Sequence, residues 1–181
     1  MPRPIIVRAL SAIALCCALV ATEASAQMRK GSNSGLPLPR FVSVKAKKAN
    51  LRVGPGRDYR VDWILVRPGL PVEIVAEFDN WRRVRDAEGT KGWLFGALLS
   101  GRRTAVVTPW HKGKDSVPLP LRRRPGPDAP LIAKLEPGVI GGVVECDGEW
   151  CRFQPDGEGI RPGWLRQVDL WGVYPGEVIE D

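Results

Sequence analysis

The sequence repeats one motif at a spacing of about seventy residues, and this repeat limits the possible folds more than any other feature. The stretch LRVGPGRDYRVDW at 51–63 returns as LRRRPGPDAPLIA at 121–133, with Leu-Arg, Pro-Gly and Asp in the same order. Further matches follow at nearby offsets: Pro68-Gly69 with Pro137-Gly138, Trp81 with Trp150, and Gly92-Trp93-Leu94 with Gly163-Trp164-Leu165. Loop insertions in a duplicated unit produce such small changes of offset. We therefore expect two copies of one small domain.

Each copy has the pattern of a small all-β unit. At 72–78 the apolar positions alternate mostly with Glu, which predicts a strand with one buried face. After residue 26 no window of a dozen residues shows the apolar period of a helix, and the chain contains 20 Gly and 17 Pro, which weaken helix interiors. Closure removes exposed sheet edges, so the sequence predicts two barrels of about five short strands each.

The first 26 residues predict a secretory signal peptide. Arg3 and Arg8 supply a positive start, 9–21 is apolar, and ASA at 24–26 offers small residues for cleavage near Ala26. Cys16 and Cys17 raise the alternative of a lipoprotein anchor, but neither follows the small residue that lipidation sites have. We expect an exported chain, periplasmic or secreted, in which the Gly/Pro-rich segment 27–39 is a flexible tether.

Two cysteines, Cys146 and Cys151, follow the predicted leader, and they flank an Asp-Gly turn between two apolar runs. Opposed residues on antiparallel strands have about the Cα separation of a disulfide, so we predict that they form one. A metal site is the poorer interpretation, because structural zinc needs four ligands and this region offers two Cys and one His.

Together these motifs resemble the bacterial Src-homology-3-like (SH3-like) domain. The resemblance rests on NLRVGPGRDY at 50–59, PGLPVEI at 68–74, DNWRRV at 79–84 and KGWL at 91–94, with a more divergent second copy. It implies a first barrel at 40–107 and a second at 108–181. Such domains are generally non-catalytic modules beside cell-wall enzymes, and several kinds bind peptidoglycan or other peptides.

The net charge of the chain indicates which kinds of partner it would attract. Without the predicted leader the chain has 25 basic and 19 acidic residues, a net charge of +6. A basic exported protein is attracted to wall polymers, lipid head groups or acidic proteins, whereas nucleic acid is not expected outside the cytoplasm. The alternative is that the charge only keeps the protein soluble.

Residues typical of an enzyme are scarce, and we expect neither catalysis nor a cofactor. The one histidine, His111, lies between the two copies with no evident partner, and a solvated role is the simpler interpretation. No Ser, Cys or Thr is set with a matching base, and no Gly-rich loop opens a helix.

The long first loop is the best candidate binding surface. Aromatic side chains beside fixed charges offer the apolar platform and polar edge that peptide or sugar recognition needs. The alternative is that Tyr59 and Trp63 close the barrel mouth while the charges face water. Trp93 and Trp164 are expected in the cores, and Trp81 and Trp150 in groove walls. The predicted ligand-binding residues are Arg57, Asp58, Tyr59, Arg60, Trp63, Trp81 and Arg83.

The sequence thus predicts a non-catalytic periplasmic module that recognises peptidoglycan or cell-envelope peptides. A protein–protein adaptor for a periplasmic partner is the alternative. A hydrolase accessory with an unrecognised site is the least favoured interpretation, because no nucleophile–base pair is visible.

Overall fold

The computed structural model describes residues 29–111, 113, 116–157 and 159–180, so the predicted signal peptide and residues 27–28 of the tether lie outside it. Across the described residues the chain is all-β, with three short 3₁₀ turns. No helix in this part is long and apolar enough to cross a bilayer. The described strands are β1 (Arg29–Lys30), β2 (Pro37–Leu38), β3 (Arg40–Val44), β4 (Ala49–Arg52), β5 (Val61–Leu65), β6 (Pro71–Phe78), β7 (Trp81–Arg85), β8 (Lys91–Phe95), β9 (Leu99–Ser100), β10 (Thr104–Val107), β11 (Leu119–Arg122), β12 (Leu131–Leu135), β13 (Ile140–Asp147), β14 (Trp150–Pro155), β15 (Gly163–Arg166), β16 (Leu170–Trp171) and β17 (Val178–Ile179).

The strands form two main sheets with the same internal order, which confirms the tandem all-β architecture. The first domain has the order β5-β4-β8-β7-β6-β3-β9, and the second has β12-β11-β15-β14-β13-β10-β16. Strand β17 adds to β13, and β1 pairs with β2 apart from both sheets. Each main path holds seven of the described strands rather than the predicted five, because β3 and β10 and the two-residue β9 and β16 also pair.

Each domain has its own apolar core, and the two cores use equivalent positions. Leu51 and Leu121 are both buried, as are Leu94 and Leu165. Burying such side chains contributes about 1.5–3 kcal/mol each, which is the main source of stability in domains of this size. The first core contains Val42, Val44, Ala49, Leu51, Val72, Ile74, Val84 and Leu94. The second contains Ala105, Val107, Leu121, Leu135, Val143, Cys146, Cys151, Phe153, Leu165, Leu170 and Val173.

Three of the four tryptophans with a predicted position do not take the places expected of them. Trp93 and Trp164 are only half-buried, because the Leu that follows each of them takes the inward position and strand neighbours point to opposite faces. Trp150, expected in a groove wall, is buried. The predicted core assignment of Trp93 and Trp164 is therefore wrong.

The boundary between the domains lies earlier than predicted. The predicted limit at 107 places strand β10 in the first barrel, but β10 pairs with β13 and β16 of the second sheet. Its counterpart in the first domain is β3, which pairs with β6 and β9 in the same way. Residues 101–103 therefore connect the two domains.

The predicted flexible tether is instead ordered over its described part. Strands β1 and β2 form a small hairpin, and its turn lies against the carboxylate of Glu77 on β6. This buried carboxylate accepts bonds from the backbone N–H groups of Asn33 and Ser34, from the Ser34 hydroxyl and from Arg40, at 2.7–3.0 Å. Burial alone would raise the pKa of Glu77, but the bonds from Ser34, Arg40 and Asn33 lower it to about 2.

The predicted disulfide is present. Cys146 and Cys151 are directly opposed on β13 and β14, with their Cα atoms 4.1 Å apart, and they form a disulfide bond. Both cysteines lie in the second core. The bond joins the two strands of the longest hairpin in the described part of this domain.

The two domains pack against each other through an aromatic cluster. Phe41 of the first domain contacts Trp171 and Tyr174 of the second, with ring centroids 5.1 and 4.7 Å apart. The Tyr174 hydroxyl donates to the buried Glu73 carboxylate at 3.1 Å. Burial and the negative charge of Glu73 both raise the pKa of Tyr174. The tyrosine thus stays neutral and remains a hydrogen-bond donor.

Candidate functional site

The long first loop, 53–60, is closed by hydrogen bonds to its backbone, and the second domain has the same bonds at the equivalent positions. The Arg52 guanidinium donates to the Tyr59 carbonyl, and the Arg122 guanidinium donates to the equivalent Ala129 carbonyl, each at 2.6 Å. The N–H of Val53 donates to the Arg60 carbonyl, and the N–H of Arg123 donates to that of Pro130. The repeated Leu-Arg pair therefore builds the loop in both copies.

Within this loop the first domain differs from the second at a packed pair. The ring of Tyr59 lies directly over Gly54, so a Cβ at residue 54 would overlap it. The corresponding second-domain residues, by the same backbone bonds, are Arg124 and Ala129. An aromatic ring on a glycine in one copy is thus replaced by a long basic side chain and a methyl group in the other.

A groove on the first domain joins the loop to the faces of β4, β7 and β8. It has a volume of about 460 Å³. Trp81 and Phe95 are opposed on β7 and β8, and their rings meet edge to face with centroids 5.5 Å apart. Lys48 and Arg57 are exposed along it and supply positive charge. The groove is lined by Lys48, Asn50, Arg52, Arg57, Trp81, Phe95 and Leu98.

The second domain lacks this combination of side chains. Strand register places Arg166 opposite Trp150, where the first domain has Phe95 opposite Trp81. The same alignment replaces Lys48 by Pro118 and Arg57 by Pro127. It also replaces Leu98 by Asp169, whose pKa is raised by burial and lowered in part by Arg166 and His111. Among the described residues, this combination of basic and aromatic groove residues is therefore found in the first copy.

The seven residues predicted to bind ligand are placed in three different surroundings. Arg57 and Trp81 line the groove, and Tyr59 lies beside it on the loop. Trp63 lies instead at a cleft between the domains. Asp58, Arg60 and Arg83 are exposed and do not line the groove; Arg60 pairs with Asp62 at 2.9 Å.

Sequence reasoning missed Arg52, which the second copy shares as Arg122, and four further groove residues: Lys48, Asn50, Phe95 and Leu98. A signal for these four existed in the repeat itself, because all four positions change type in the second copy. The strand register needed to align them is long-range information that the loop motifs alone do not supply.

The cleft between the domains is mainly apolar and has a volume of about 340 Å³. Leu51, Leu65 and Leu70 line it from the first domain, and Val106 and Ile140 line it from the second. Trp63 lies at this cleft with 60% of its surface exposed. The apolar part of its lining is suited to an apolar side chain, and Arg67, Asp86 and Glu88 add charged groups to the cleft.

Groups for metal or acid–base chemistry are dispersed in the part of the chain that the structure describes. No three of its His, Cys, Asp or Glu side chains come together as a metal site. His111 lies on a short 3₁₀ turn, with its ring 6.3 Å from that of Trp110. The groove offers cations, an amide and aromatic rings, which can bind a ligand but do not form a nucleophile–base pair.

Comparison with known proteins identifies the repeated unit. A family model described as "Bacterial SH3 domain" matches residues 45–101 and 115–172. The chain is 26% identical over 129 residues to the "Putative N-acetylmuramoyl-L-alanine amidase YrvJ" of Bacillus subtilis (strain 168), covering 64% of this chain and 24% of that protein. The chain therefore spans about a quarter of the length of this relative.

Two solved structures from Trichomonas vaginalis, of NlpC2 and NlpC1, are each 13% identical to the chain with a TM-score of 0.32. They cover 74% and 78% of this chain, and 48% of their own chains is aligned. A likeness at this level supports no inference about the site. The two family matches, on strands of the same order, show that this chain belongs to the bacterial SH3 domain family as a tandem pair.

Proposed function

We propose that the protein is a non-catalytic module that binds peptidoglycan outside the cytoplasm, through the groove of its first domain. The main support for this proposal is that Lys48 and Arg57 line the same groove as the Trp81–Phe95 ring pair. Family membership and the cell-wall amidase name of one relative support the assignment.

The groove chemistry fits the peptide stems of the wall. Stem peptides carry carboxylates and short apolar side chains. The carboxylates are complementary to Lys48 and Arg57, and the apolar groups can pack on Trp81 and Phe95. Asn50 adds an amide that both donates and accepts hydrogen bonds.

Export is part of the proposal. The disulfide between Cys146 and Cys151 is typical of proteins in oxidising compartments, and the N-terminal sequence has the pattern of a signal peptide. Both support a periplasmic or secreted location, where peptidoglycan is accessible.

Sedimentation with purified sacculi tests the site directly. The wild-type chain should co-sediment, and Arg57→Ala and Trp81→Ala should each reduce the retained fraction, by about tenfold in apparent affinity for the charged contact. Arg124→Ala is the matched control, since it removes one exposed charge from the equivalent loop of the second domain. Retention should also fall as salt rises, because exposed charge pairs are screened.

Equal retention of the wild type, Arg57→Ala and Trp81→Ala would exclude this groove. No retention of the wild type at low salt would exclude the proposed function. Near-ultraviolet circular dichroism of each variant separates a lost contact from a lost fold.

A protein–protein adaptor is the second candidate, and the apolar cleft beside Trp63 favours it. An adaptor would fail to bind sacculi and would bind one defined partner with loss of affinity in Trp63→Ala. The same pair of assays therefore separates the two functions.

A further inference from the structure

Strand β5 is a terminal strand of the first sheet, and among the described residues it pairs on one side only, with β4. Its outer backbone N–H and C=O groups are therefore available to another strand. Natural sheets usually protect such an edge with Pro, Lys or a covering segment. Asp62 has no register partner on β4, which marks a bulge near the start of this edge.

The second domain protects the equivalent edge with Pro and Lys, whereas the first carries a bulge at Asp62 and the oppositely charged Arg60 and Asp62. On β12 and the residue before it, Pro130 takes the place of Arg60, and Lys134 takes the place of Ile64. Proline removes an N–H donor, and an edge lysine opposes pairing. Ile64, by contrast, is 47% exposed on the first-domain edge. The first-domain edge thus keeps the N–H donor that Pro130 removes from the second, and it carries charges of both signs instead of a lysine.

The first-domain edge, taken as the start of β5 with the two loop residues before it, is complementary to itself. Residues 59–63 read Tyr-Arg-Val-Asp-Trp, an aromatic and a basic residue before Val61 and an acidic and an aromatic residue after it. An antiparallel register centred on Val61 places Arg60 opposite Asp62 of the partner subunit. The same register places Tyr59 opposite Trp63 of the partner subunit. Two-fold symmetry makes each of these contacts occur twice, as an interface between identical subunits requires.

We propose that two copies of this chain associate through their β5 edges, antiparallel and centred on Val61. The side chains concerned are available for contact: Tyr59 is 49% and Trp63 is 60% exposed. Opposite charges and aromatic pairs across neighbouring strands are both favourable. This charge pattern favours a second molecule of the same chain as the partner. An unrelated strand would need an acidic and a basic residue at the positions that face Arg60 and Asp62.

Sedimentation velocity over a range of concentrations tests the proposal on the purified chain. The wild type should show a weight-average mass that rises with concentration towards that of a dimer. Arg60→Asp gives the edge two acidic residues, and Asp62→Arg gives it two basic residues. Each variant alone should dissociate at a concentration at least about tenfold higher, since like charges then face each other twice.

Mixing the two variants in equal amounts provides the specific readout. An edge with two acids opposite an edge with two bases restores both pairs, so association should return as a heterodimer. A merely structural role of the Arg60–Asp62 ion pair within one chain cannot produce this recovery. Lys134→Asp, a charge reversal on the equivalent edge of the second domain, is the control and should dimerise like the wild type.

A monomeric wild type at all concentrations would overturn the proposal. So would a dimer that both single variants leave intact, or variants that remain monomeric when mixed although each is folded by circular dichroism. The association uses residues outside the groove, so sacculus binding can be measured separately on the monomeric variants. The dimer proposal and the proposed function can therefore fail independently.

Discussion

At the scale of single residues, Gly54 and Tyr59 form one unit. The ring of Tyr59 occupies the space that a side chain on residue 54 would need. In the second copy both positions change together, to Arg124 and Ala129. The pair shows that the loop shape is retained by the shared arginine contacts while its surface differs between copies.

We predict that Gly54→Ala destabilises the chain by about 1–3 kcal/mol, because the added methyl displaces the Tyr59 ring. The double variant with Tyr59→Ala should lose less than the sum of the two single changes, which denaturant unfolding measures. Gly56→Ala is the control, because its Cβ would lie 3.1 Å from the same ring and needs only a small adjustment. Strict additivity would contradict the packing account.

The sequence predicts those groove residues that belong to short local motifs. Arg57 and Trp81 belong to local motifs that are visible as short patterns, and both line the groove. Lys48 and Phe95 reach the same groove through the pairing of β4, β7 and β8, which local patterns do not specify. Trp63 follows the loop closely in sequence, but it lies at the cleft between the domains instead.

At the scale of strands, one cross-strand position is stabilised differently in the two copies. Glu77 is opposite Arg82 in the first domain and pairs with it at 3.3 Å, whereas the equivalent residues of the second domain are the disulfide-bonded Cys146 and Cys151. In each domain a further segment packs on this cross-strand position. The hairpin of β1 and β2 packs on Glu77, and β17 pairs with Cys146.

Acid should detach this hairpin before the core unfolds. The folded-state pKa of Glu77, about 2, is below its ordinary value, so its stabilising effect is complete above about pH 4.5 and is lost as the pH falls towards 2. The effect is on the order of 3 kcal/mol. Urea unfolding at neutral pH and at pH 3 should show a larger loss for the wild type than for Glu77→Gln. An equal loss would show that Glu77 is not the responsible carboxylate.

The fold was more predictable from sequence than the arrangement of its ends. Alternation and turn residues act locally, so the strands and the duplication were visible in the sequence. The hairpin at the predicted tether is held by the Glu77 carboxylate and by a bond from Arg82 to Asn33, both more than forty residues away in sequence. The polar composition of the segment gave no sign of these contacts.

At the scale of the whole molecule, Phe41 joins the two domains. It lies outside both core clusters and contacts Trp171 and Tyr174, while Arg85 stacks over the Trp171 ring at 5.0 Å and pairs with Glu73 at 2.7 Å. The interface therefore depends on aromatic packing around one first-domain side chain, supported by a buried carboxylate.

We predict that the wild type unfolds in one calorimetric transition and that Phe41→Ala separates it into two. Removing a buried phenylalanine costs about 3–5 kcal/mol, and here most of the loss falls on the coupling between the domains. Phe78→Ala, which removes an exposed ring from the same domain, should retain one transition. A single transition in Phe41→Ala, shifted to lower temperature, would place the residue in the first core instead.

Because residues 101–103 form a very short connector, the interface between the two domains does not need to be strong. Two domains tied by so short a segment meet at a high effective concentration, so a contact too weak to hold them as separate molecules can remain closed. The connector also takes part in the contact, since Arg103 donates to Glu177 and to the Gly172 carbonyl of the second domain. We therefore expect the two domains to move as one body, which keeps the groove in one orientation relative to the second domain.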